Sequence, residues 1–266
     1  MTDLRVEGLQ VAYDTRPGER LVACQDIDLT VAPGEFVTII GPSGCGKSTV
    51  LHCMGGLLPP TEGRILFGGE EVTQPNPNNA AFVFQDYSLF PWKSILDNVG
   101  MGLRFAGAPK AEIAAKAAEK LDFVGLGEFA HALPRELSGG MQQRVAVARA
   151  LAMEPRVLLM DEPFGALDEQ SRRALGSDMA RILEQTHRSV VLITHSLDEA
   201  IFWADRIIVM SSRPGTIIEE IEVKAPRPRD LSMMTEPEFL AIRVRLFDLI
   251  QLQQSKKTAH PAAGGR

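Results

Sequence analysis

The hydrophobic positions along the chain follow two patterns, alternation near the amino terminus and continuous apolar runs further on. Residues 4–9 and 21–31 alternate apolar and polar side chains, which is typical of antiparallel strands with one buried face. Four later stretches are apolar throughout, namely 36–40, 80–84, 157–160 and 190–194. Such runs are typical of parallel strands buried on both faces. The chain is therefore predicted to be an α/β protein with a mostly parallel sheet and an N-terminal antiparallel β subdomain.

A helical pattern replaces the strand pattern between residues 87 and 154. Residues 111–124 are rich in Ala, Glu, Lys and Leu, and apolar residues recur on one face. These residues are Ile113, Ala117, Leu121 and Val124. We predict an inserted α-helical subdomain at 87–154, within a core formed by 1–86 and 155–225. Residues 226–266 are expected to form a closing helix near 238–252 and a disordered tail from 255.

A glycine-rich stretch follows the first apolar run. It reads Gly41, Pro42, Ser43, Gly44, Cys45, Gly46, Lys47, Ser48 and Thr49. The form is Gly, any four residues, Gly-Lys-Ser, in which backbone N–H groups surround phosphate oxygens and the lysine reaches the terminal phosphates. The pattern predicts a nucleoside triphosphate site at the start of a helix over 47–55. The alternative is an ordinary glycine-rich turn before a helix.

The other apolar runs end in polar residues that suit a magnesium–nucleotide complex. These are Gln85, Asp161 with Glu162, and His195. The carboxyl ends of parallel strands meet at one sheet edge, so we expect these side chains to gather near the phosphate loop. Any one of them alone would be read as a strand terminator.

The chemistry of these side chains suggests a role for each. Ser48, Asp161 and Gln85 are candidate Mg²⁺ ligands. Glu162 is placed to polarise an attacking water, and Gln85 and His195 can contact the γ-phosphate or that water.

A second glycine-flanked helix start lies at the end of the predicted helical subdomain. Ser138 is a candidate N-cap for a helix that runs through Ala152, and Gly139 and Gly140 follow it. Such a start can bind an anion, but it contains no lysine. A plain N-cap is the simpler interpretation of this stretch alone.

Composition and charge narrow the choice of partners. The 266 residues are 45% hydrophobic with a net charge of −6, which disfavours a nucleic-acid partner. The sequence has no apolar run long enough to span a membrane and no signal-peptide pattern at its start. We expect a cytoplasmic protein that reaches any membrane through a partner.

The three cysteines do not have the spacing of a metal site. Cys24 and Cys53 are expected to pack as small hydrophobic residues. Cys45 lies inside the phosphate loop, where amides and Lys47 would favour a reactive thiolate. The alternative is that Cys45 is a tolerated small residue.

Together these residues resemble the ATP-binding subunits of ABC transporters over about residues 4–225. Gly41 to Thr49 resembles the Walker A loop, and Val157 to Glu162 resembles the Walker B strand with its glutamate. Leu137 to Met141 is similar to the signature sequence that separates this family from other P-loop proteins. The remaining correspondences are Gln85 for the Q-loop, residues 165–168 ending in Asp168 for the D-loop, His195 for the switch histidine, and Tyr13 for the ring that stacks on adenine.

The resemblance implies a head-to-tail homodimer that binds two ATP molecules with Mg²⁺. Each ATP would be held between the Walker A loop of one copy and Ser138 to Gly140 of the other, with Asp168 near the same site. Hydrolysis with Glu162 as general base would reopen the closed dimer. The family also implies integral membrane permease subunits, a periplasmic or lipid-anchored solute-binding protein, and a location at the cytoplasmic side of the bacterial inner membrane.

The segment after Gln85 and a short motif near the end of the core resemble the importers of nitrate, sulfonate and taurine. These stretches are Leu89 to Trp92 and Ser212 to Gly215. The apolar side chains of 87–92 would anchor a permease or form a small core cluster. Two other functions remain open, a soluble ABC-family ATPase acting on DNA or ribosomes and a nucleotide-gated module that does not hydrolyse ATP. The single copy of each motif and the intact Glu162 disfavour them.

Overall fold

The computed structural model describes residues 3–16, 19–165 and 169–259. The chain divides into two compact units. The first contains the described residues of Met1–Pro75 and Val191–Arg266, and the second is Asn76–Val190.

The described residues form strands and helices whose bounds are as follows. The strands are β1 (Leu4–Arg16), β2 (Glu19–Val31), β3 (Phe36–Ile40), β4 (Glu62–Phe67), β5 (Glu70–Glu71), β6 (Ala80–Val83), β7 (Val157–Asp161), β8 (Ser189–Ile193), β9 (Arg206–Met210) and β10 (Ile217–Glu222). The α-helices are α1 (Lys47–Met54), α2 (Ile95–Val99), α3 (Met101–Phe105), α4 (Lys110–Phe123), α5 (Gly139–Ala152), α6 (Glu169–Glu184), α7 (Leu197–Trp203) and α8 (Pro237–Ala259). Short 3₁₀ turns lie at Gly127–Phe129, Pro134–Glu136 and Leu231–Thr235.

The N-terminal sheet of the first unit is antiparallel, in the order β2-β1-β4-β5. In β2, buried Ile27, Leu29 and Val31 alternate with exposed residues, as the sequence pattern predicts. Strand β1 extends beyond the alternating run predicted over 4–9, because Tyr13 pairs with Leu21 and the strand continues to Arg16. Cross-strand pairing extends the strand through residues whose composition alone favours a turn.

Three of the predicted apolar runs contain parallel strands, namely β3, β6 and β7, whereas β9 was not among the predicted runs. In the first unit, β3 pairs in parallel with β9, and all five residues of β3 are buried. Strand β10 is antiparallel to β9. In the second unit, β6 pairs in parallel with β7. The predicted α/β class, with mostly parallel strands and an antiparallel N-terminal sheet, is confirmed.

Helices α2 to α5 of the second unit enclose an apolar cluster. The predicted face of α4 contributes to it, with Ala117, Leu121 and Val124 buried and Ile113 packed against them. Helix α5 begins after Ser138 and ends at Ala152, as predicted. The subdomain limits at 87 and 154 remain predictions.

Helix α8 continues to Ala259, so the expectation of a disordered tail from residue 255 is wrong for residues 255–259. Gln253 is only 8% exposed and contacts the turn after β9, which anchors the last turns of this helix. Residues 260–266 lie outside the described part of the chain. Among the residues that are described, no helix is both long and apolar enough to cross a membrane.

Candidate nucleotide-binding site

The glycine-rich loop leaves β3 and turns into α1. Its backbone enters the left-handed region at Gly44, with φ 74°, and at Gly46, with φ 101°. Gly46 is the N-cap of α1 and has no side chain to bond the first N–H groups of that helix. Those groups and the helix dipole therefore favour an anion at this end.

Two glycines of the loop are required by close packing, and one of them, Gly46, is also required by its backbone angle. A Cβ on Gly41 would lie 2.9 Å from the Met210 carbonyl oxygen, and one on Gly46 would lie 2.9 Å from that of Ala23. Any larger residue would push the loop away from β9 or β2. The loop shape thus depends on the strands that flank it.

Lys47 points back into the loop. Its side chain is almost buried, with 5% of the residue exposed. The Nζ donates to the carbonyl oxygens of Gly41 at 3.0 Å and Pro42 at 3.1 Å. A cationic group enclosed by a glycine-lined curve of backbone fits a polyphosphate chain.

Tyr13 lies next to the same loop. Its hydroxyl is 3.4 Å from Thr49 Oγ1, and 39% of the residue is exposed. The structure therefore brings the predicted adenine platform to the loop in the first unit. Stacking of its ring on a base remains a prediction.

Cys45 does not have the environment of a reactive thiolate, so that expectation is wrong. The residue is 1% exposed, and burial raises the pKa of its thiol despite the nearby charge of Lys47. Cys24 and Cys53 are also buried and free, as predicted for small hydrophobic residues. Burial raises the pKa of Cys24 to about 11 and that of Cys53 to about 12.

His195 lies at the junction between β8 and α7. The backbone on either side is fixed, because Ser196 N donates to Thr194 Oγ1 at 3.0 Å and Ser196 Oγ accepts from Glu199 N at 3.3 Å. His195 itself is exposed. It is therefore presented to solvent from a constrained turn, which suits a group that contacts a ligand.

The other predicted strand-end residues lie in the second unit. The parallel register pairs Val83 with Met160, so β6 and β7 end at the same edge. Gln85 follows β6 by two residues, Asp161 ends β7, and Glu162 comes next. The structure thus brings these three predicted site residues to one edge of this strand pair.

Glu162 adopts a backbone conformation that is unusual for a residue with a side chain. Its φ is 46°, and its carbonyl oxygen accepts from Gly165 N at 3.0 Å. A Cβ on Gly165 would lie 3.0 Å from Gln85 Nε2, so the Gln85 amide packs against the turn after Glu162. Left-handed non-glycine residues cluster at active sites, where the surrounding structure holds them.

The second glycine-flanked start is built differently. Ser138 caps α5 by accepting a hydrogen bond from Met141 N at 3.4 Å. Ser138 is exposed, and Gly139 and Gly140 are half-buried. A Cβ on Gly140 would meet only Leu175 Cδ2, at an ordinary 3.6 Å, among the described residues. The predicted D-loop residue Asp168 lies outside the described residues.

In each unit, one arginine that was not predicted as a site residue contacts a segment with predicted site residues. Arg149 on α5 donates to the carbonyl oxygens of Ser88, at 2.6 Å, and Tyr87, at 2.8 Å, directly after Gln85. Tyr87 and Ser88 both have φ 49°, and burial lowers the pKa of Arg149. Arg213 donates to Gly44 O in the phosphate loop. Both arginines donate to backbone carbonyl oxygens, and a sequence pattern does not reveal such contacts.

Comparison with known proteins gives the family. The family model described as ABC transporter matches residues 24–165. An uncharacterized ABC transporter ATP-binding protein of Methanocaldococcus jannaschii is 44% identical, covering 93% of this chain and 91% of that protein. The taurine import ATP-binding protein of Rhizobium johnstonii is 41% identical, covering 96% of this chain and 99% of that protein. The nitrate import ATP-binding protein of Synechococcus elongatus is 40% identical over 96% of this chain and 39% of its own length.

A solved structure agrees with these relatives. It is the dimeric, post-hydrolysis state of an ATP-binding cassette bound to ADP and Pi. The TM-score is 0.72 at 32% identity, covering 84% of this chain and 100% of that one. This chain therefore belongs to the ABC transporter family of ATP-binding proteins, and it is an ATPase.

Proposed function

We propose that this ATPase is the energy-coupling subunit of a bacterial importer for nitrate, a sulfonate, taurine or a related small solute. The support is that relatives with 40% and 41% identity are named as nitrate and taurine import ATP-binding proteins. A bicarbonate transport ATP-binding protein of Synechococcus elongatus is also 40% identical. All three names concern small polar solutes, so the proposed substrate class has that chemistry.

The proposed nucleotide contacts use the residues described above. The backbone N–H groups of Ser43, Gly44, Cys45 and Gly46 donate to the phosphates, and Gly41 and Pro42 shape the loop around them. Lys47, Ser48 and Thr49 contact the phosphates from the start of α1. Tyr13 stacks on the adenine. Ser48, Asp161 and Gln85 hold Mg²⁺, which when bound neutralises phosphate charge. Glu162 accepts a proton from the attacking water, while Gln85 and His195 respond to the γ-phosphate.

The proposed active form is a head-to-tail homodimer. Ser138, Gly139 and Gly140 of one copy face the phosphate loop of the other, and Asp168 lies near the same ATP. The support is the exposed start of α5, where nothing in the described chain demands glycine at position 140. Space for backbone to approach a ligand from outside is one reason for such a glycine. ATP binding closes the dimer and hydrolysis reopens it.

The geometry that best supports a membrane partner is the segment after Gln85. Buried Asn98 holds this segment through bonds between its side chain and Phe90 N at 2.7 Å and Lys93 O at 3.1 Å. Trp92 is 73% exposed and contacts Phe90 edge-on, whereas Leu89 packs on the helical core. A rigidly held, exposed tryptophan is suited to anchor an interface. We assign it to the permease subunits, at the cytoplasmic face of the bacterial inner membrane, in a system that includes a solute-binding protein.

Substitution of Glu162 tests the hydrolytic assignment. Glu162→Gln removes the proton acceptor with little change in shape, so turnover should fall by about 10²- to 10⁴-fold while ATP binding persists. Lys47→Ala is the comparison variant and should lose ATP affinity instead. Near-normal turnover of Glu162→Gln, measured by phosphate release, would remove Glu162 from this role.

Purification from membranes tests the importer assignment. The wild-type chain should copurify with a multi-span membrane subunit, and Trp92→Ala should weaken that association. Phe105→Ala is a matched control because Phe105 is 80% exposed on α3. Recovery of the wild-type chain with ribosomes or DNA instead would contradict the proposal.

A further inference from the structure

The turn after β9 contacts the phosphate loop from outside. We call residues 211–216 the arginine turn. Arg213 donates from Nε and Nη2 to the Gly44 carbonyl oxygen, at 3.0 and 2.8 Å. Gly215 packs so closely that a Cβ there would lie 2.0 Å from the Cys45 carbonyl oxygen. Two successive carbonyls of the phosphate loop therefore contact this one turn.

The contact with Arg213 fixes the orientation of a peptide that lines the loop. In a planar trans peptide the carbonyl and the N–H point in opposite directions. With the Gly44 carbonyl facing Arg213, the Cys45 N–H points into the loop and donates to Pro42 O at 3.3 Å. Lys47 Nζ donates to the same oxygen. A cation on the carbonyl also polarises the peptide, which strengthens its N–H as a donor.

The arginine turn is itself held rigidly. Thr216 N donates to Ser211 Oγ at 2.9 Å, and Ser211 Oγ donates to Pro214 O at 3.2 Å, which closes the turn. Gly215 N donates to Ala23 O at 3.0 Å, which fixes the turn to β2. The guanidinium of Arg213 therefore extends toward the loop from a defined position.

Helix α8 is bonded to the residue just before Arg213. Ser212 Oγ donates to Gln253 O at 2.6 Å, and Ser212 N donates to Gln253 Oε1 at 3.3 Å. The nearly buried Gln253 thus uses both its backbone and its side chain on Ser212. A chain of direct contacts leads from the C-terminal helix through Ser212 and Arg213 to Gly44.

We propose that Arg213 is a positioning residue of the nucleotide site, and that α8 sets its position through Gln253. This inference rests on the proposed binding of ATP at residues 41–49. Arg213 acts through the peptide of Gly44 and Cys45. The C-terminal helix therefore influences nucleotide affinity through the arginine turn.

Titration of the full chain with a fluorescent mant-ATP, without Mg²⁺ so that no hydrolysis occurs, tests the role of Arg213. Arg213→Ala should raise the Kd by roughly 3- to 10-fold, as expected for an exposed charge-assisted hydrogen bond. Arg213→Lys, which restores one donor, should recover part of the loss. Arg64→Ala is the control, because it removes an exposed guanidinium that pairs with Glu7 in the N-terminal sheet. It should leave the Kd unchanged.

Two further measurements separate positioning from general stability. Without nucleotide, Arg213→Ala and Arg64→Ala should unfold at the same temperature within about 2 °C. In steady-state hydrolysis, Arg213→Ala should raise KM by more than it lowers kcat. An unchanged Kd in Arg213→Ala, or an equal rise in Arg64→Ala, would overturn the proposal. Failure of Lys47→Ala to weaken mant-ATP binding would instead overturn the loop assignment beneath it.

The contribution of α8 has its own pair of variants. Gln253→Ala should raise the Kd by about twofold, since it removes one of the two bonds to Ser212. Gln251→Ala, an exposed glutamine on the same helix, should have no effect. Equal values of Kd for these two variants would remove α8 from the proposal.

Discussion

The glycine-flanked starts of α1 and α5 differ in which residues surround them. Gly46 starts α1 inside a packed environment, where β2, β9 and the arginine turn press on the loop. Ser138 starts α5 at the surface, and its own hydroxyl supplies the cap. The first start is completed by its own chain, whereas a Cβ on Gly140 at the second start would make only an ordinary contact among the described residues. A similar glycine-containing sequence therefore forms an enclosed phosphate loop at the start of α1 and an exposed surface at the start of α5.

The comparison is tested most strongly by adding a methyl group at the first start. Gly46→Ala places a Cβ at φ 101° and 2.9 Å from the Ala23 carbonyl oxygen. The strain should lower the free energy of unfolding by about 1–3 kcal/mol. If the loop instead changes shape to relieve the strain, the affinity for ATP should fall by roughly 5- to 150-fold. Thermal unfolding and mant-ATP titration measure the two effects. If Gly46→Ala kept both wild-type stability and wild-type ATP affinity, the close packing around Gly46 would be contradicted.

A substitution at the second start should separate stability from turnover. Gly140→Asp adds a negative charge in the first turn of α5, which favours the helix by about 0.3–1 kcal/mol. The same charge would oppose the phosphates of a facing copy and should reduce ATP hydrolysis by about tenfold or more. Gly140→Ala, which adds the Cβ alone, should have a smaller effect on hydrolysis. Full turnover in Gly140→Asp would contradict an anion site at this helix start.

The smallest expected effect concerns the buried thiols near the first start. Burial raises the pKa of Cys24 to about 11 and of Cys53 to about 12, from 9.0. The contribution of each neutral, buried thiol to the free energy of unfolding is therefore complete below about pH 9. It is lost as the pH rises toward 11 for Cys24 and toward 12 for Cys53. Between pH 8 and 10, the wild type should lose about 1 kcal/mol per thiol more unfolding free energy than Cys24→Ala/Cys53→Ala. Equal losses in urea titrations would contradict the burial of these thiols.

The sequence predicted most of the secondary structure because its patterns are local. Apolar runs identified β3 and β7, and Ser138 marked the start of α5, since a cap and a periodic face act over a few residues. The continuation of β1 through Tyr13 was missed because strand pairing with Leu21 decided it. The end of α8 was missed because Gln253 is anchored by a residue 41 positions earlier.

The candidate site was predictable where a motif carries the chemistry. Lys47, Gln85, Asp161 and Glu162 all lie at strand ends or at a helix start, as their spacing indicates. Arg149 and Arg213 were not predictable, because an arginine that binds backbone carbonyls has the same sequence signature as a solvated one. The prediction of a reactive thiolate at Cys45 was wrong, because it took account of the nearby charge of Lys47 but not of the burial that raises the pKa of the thiol.

The contact between Gly215 and the Cys45 carbonyl has a consequence for engineering. The phosphate loop and the arginine turn have complementary surfaces, because there is no space for a side chain at position 215 between them. A chimaera that takes residues 41–49 from another cassette and keeps the native turn would join two surfaces that were not selected together. The smallest transplantable nucleotide module of this chain is therefore discontinuous, and it includes residues 211–216 along with the loop.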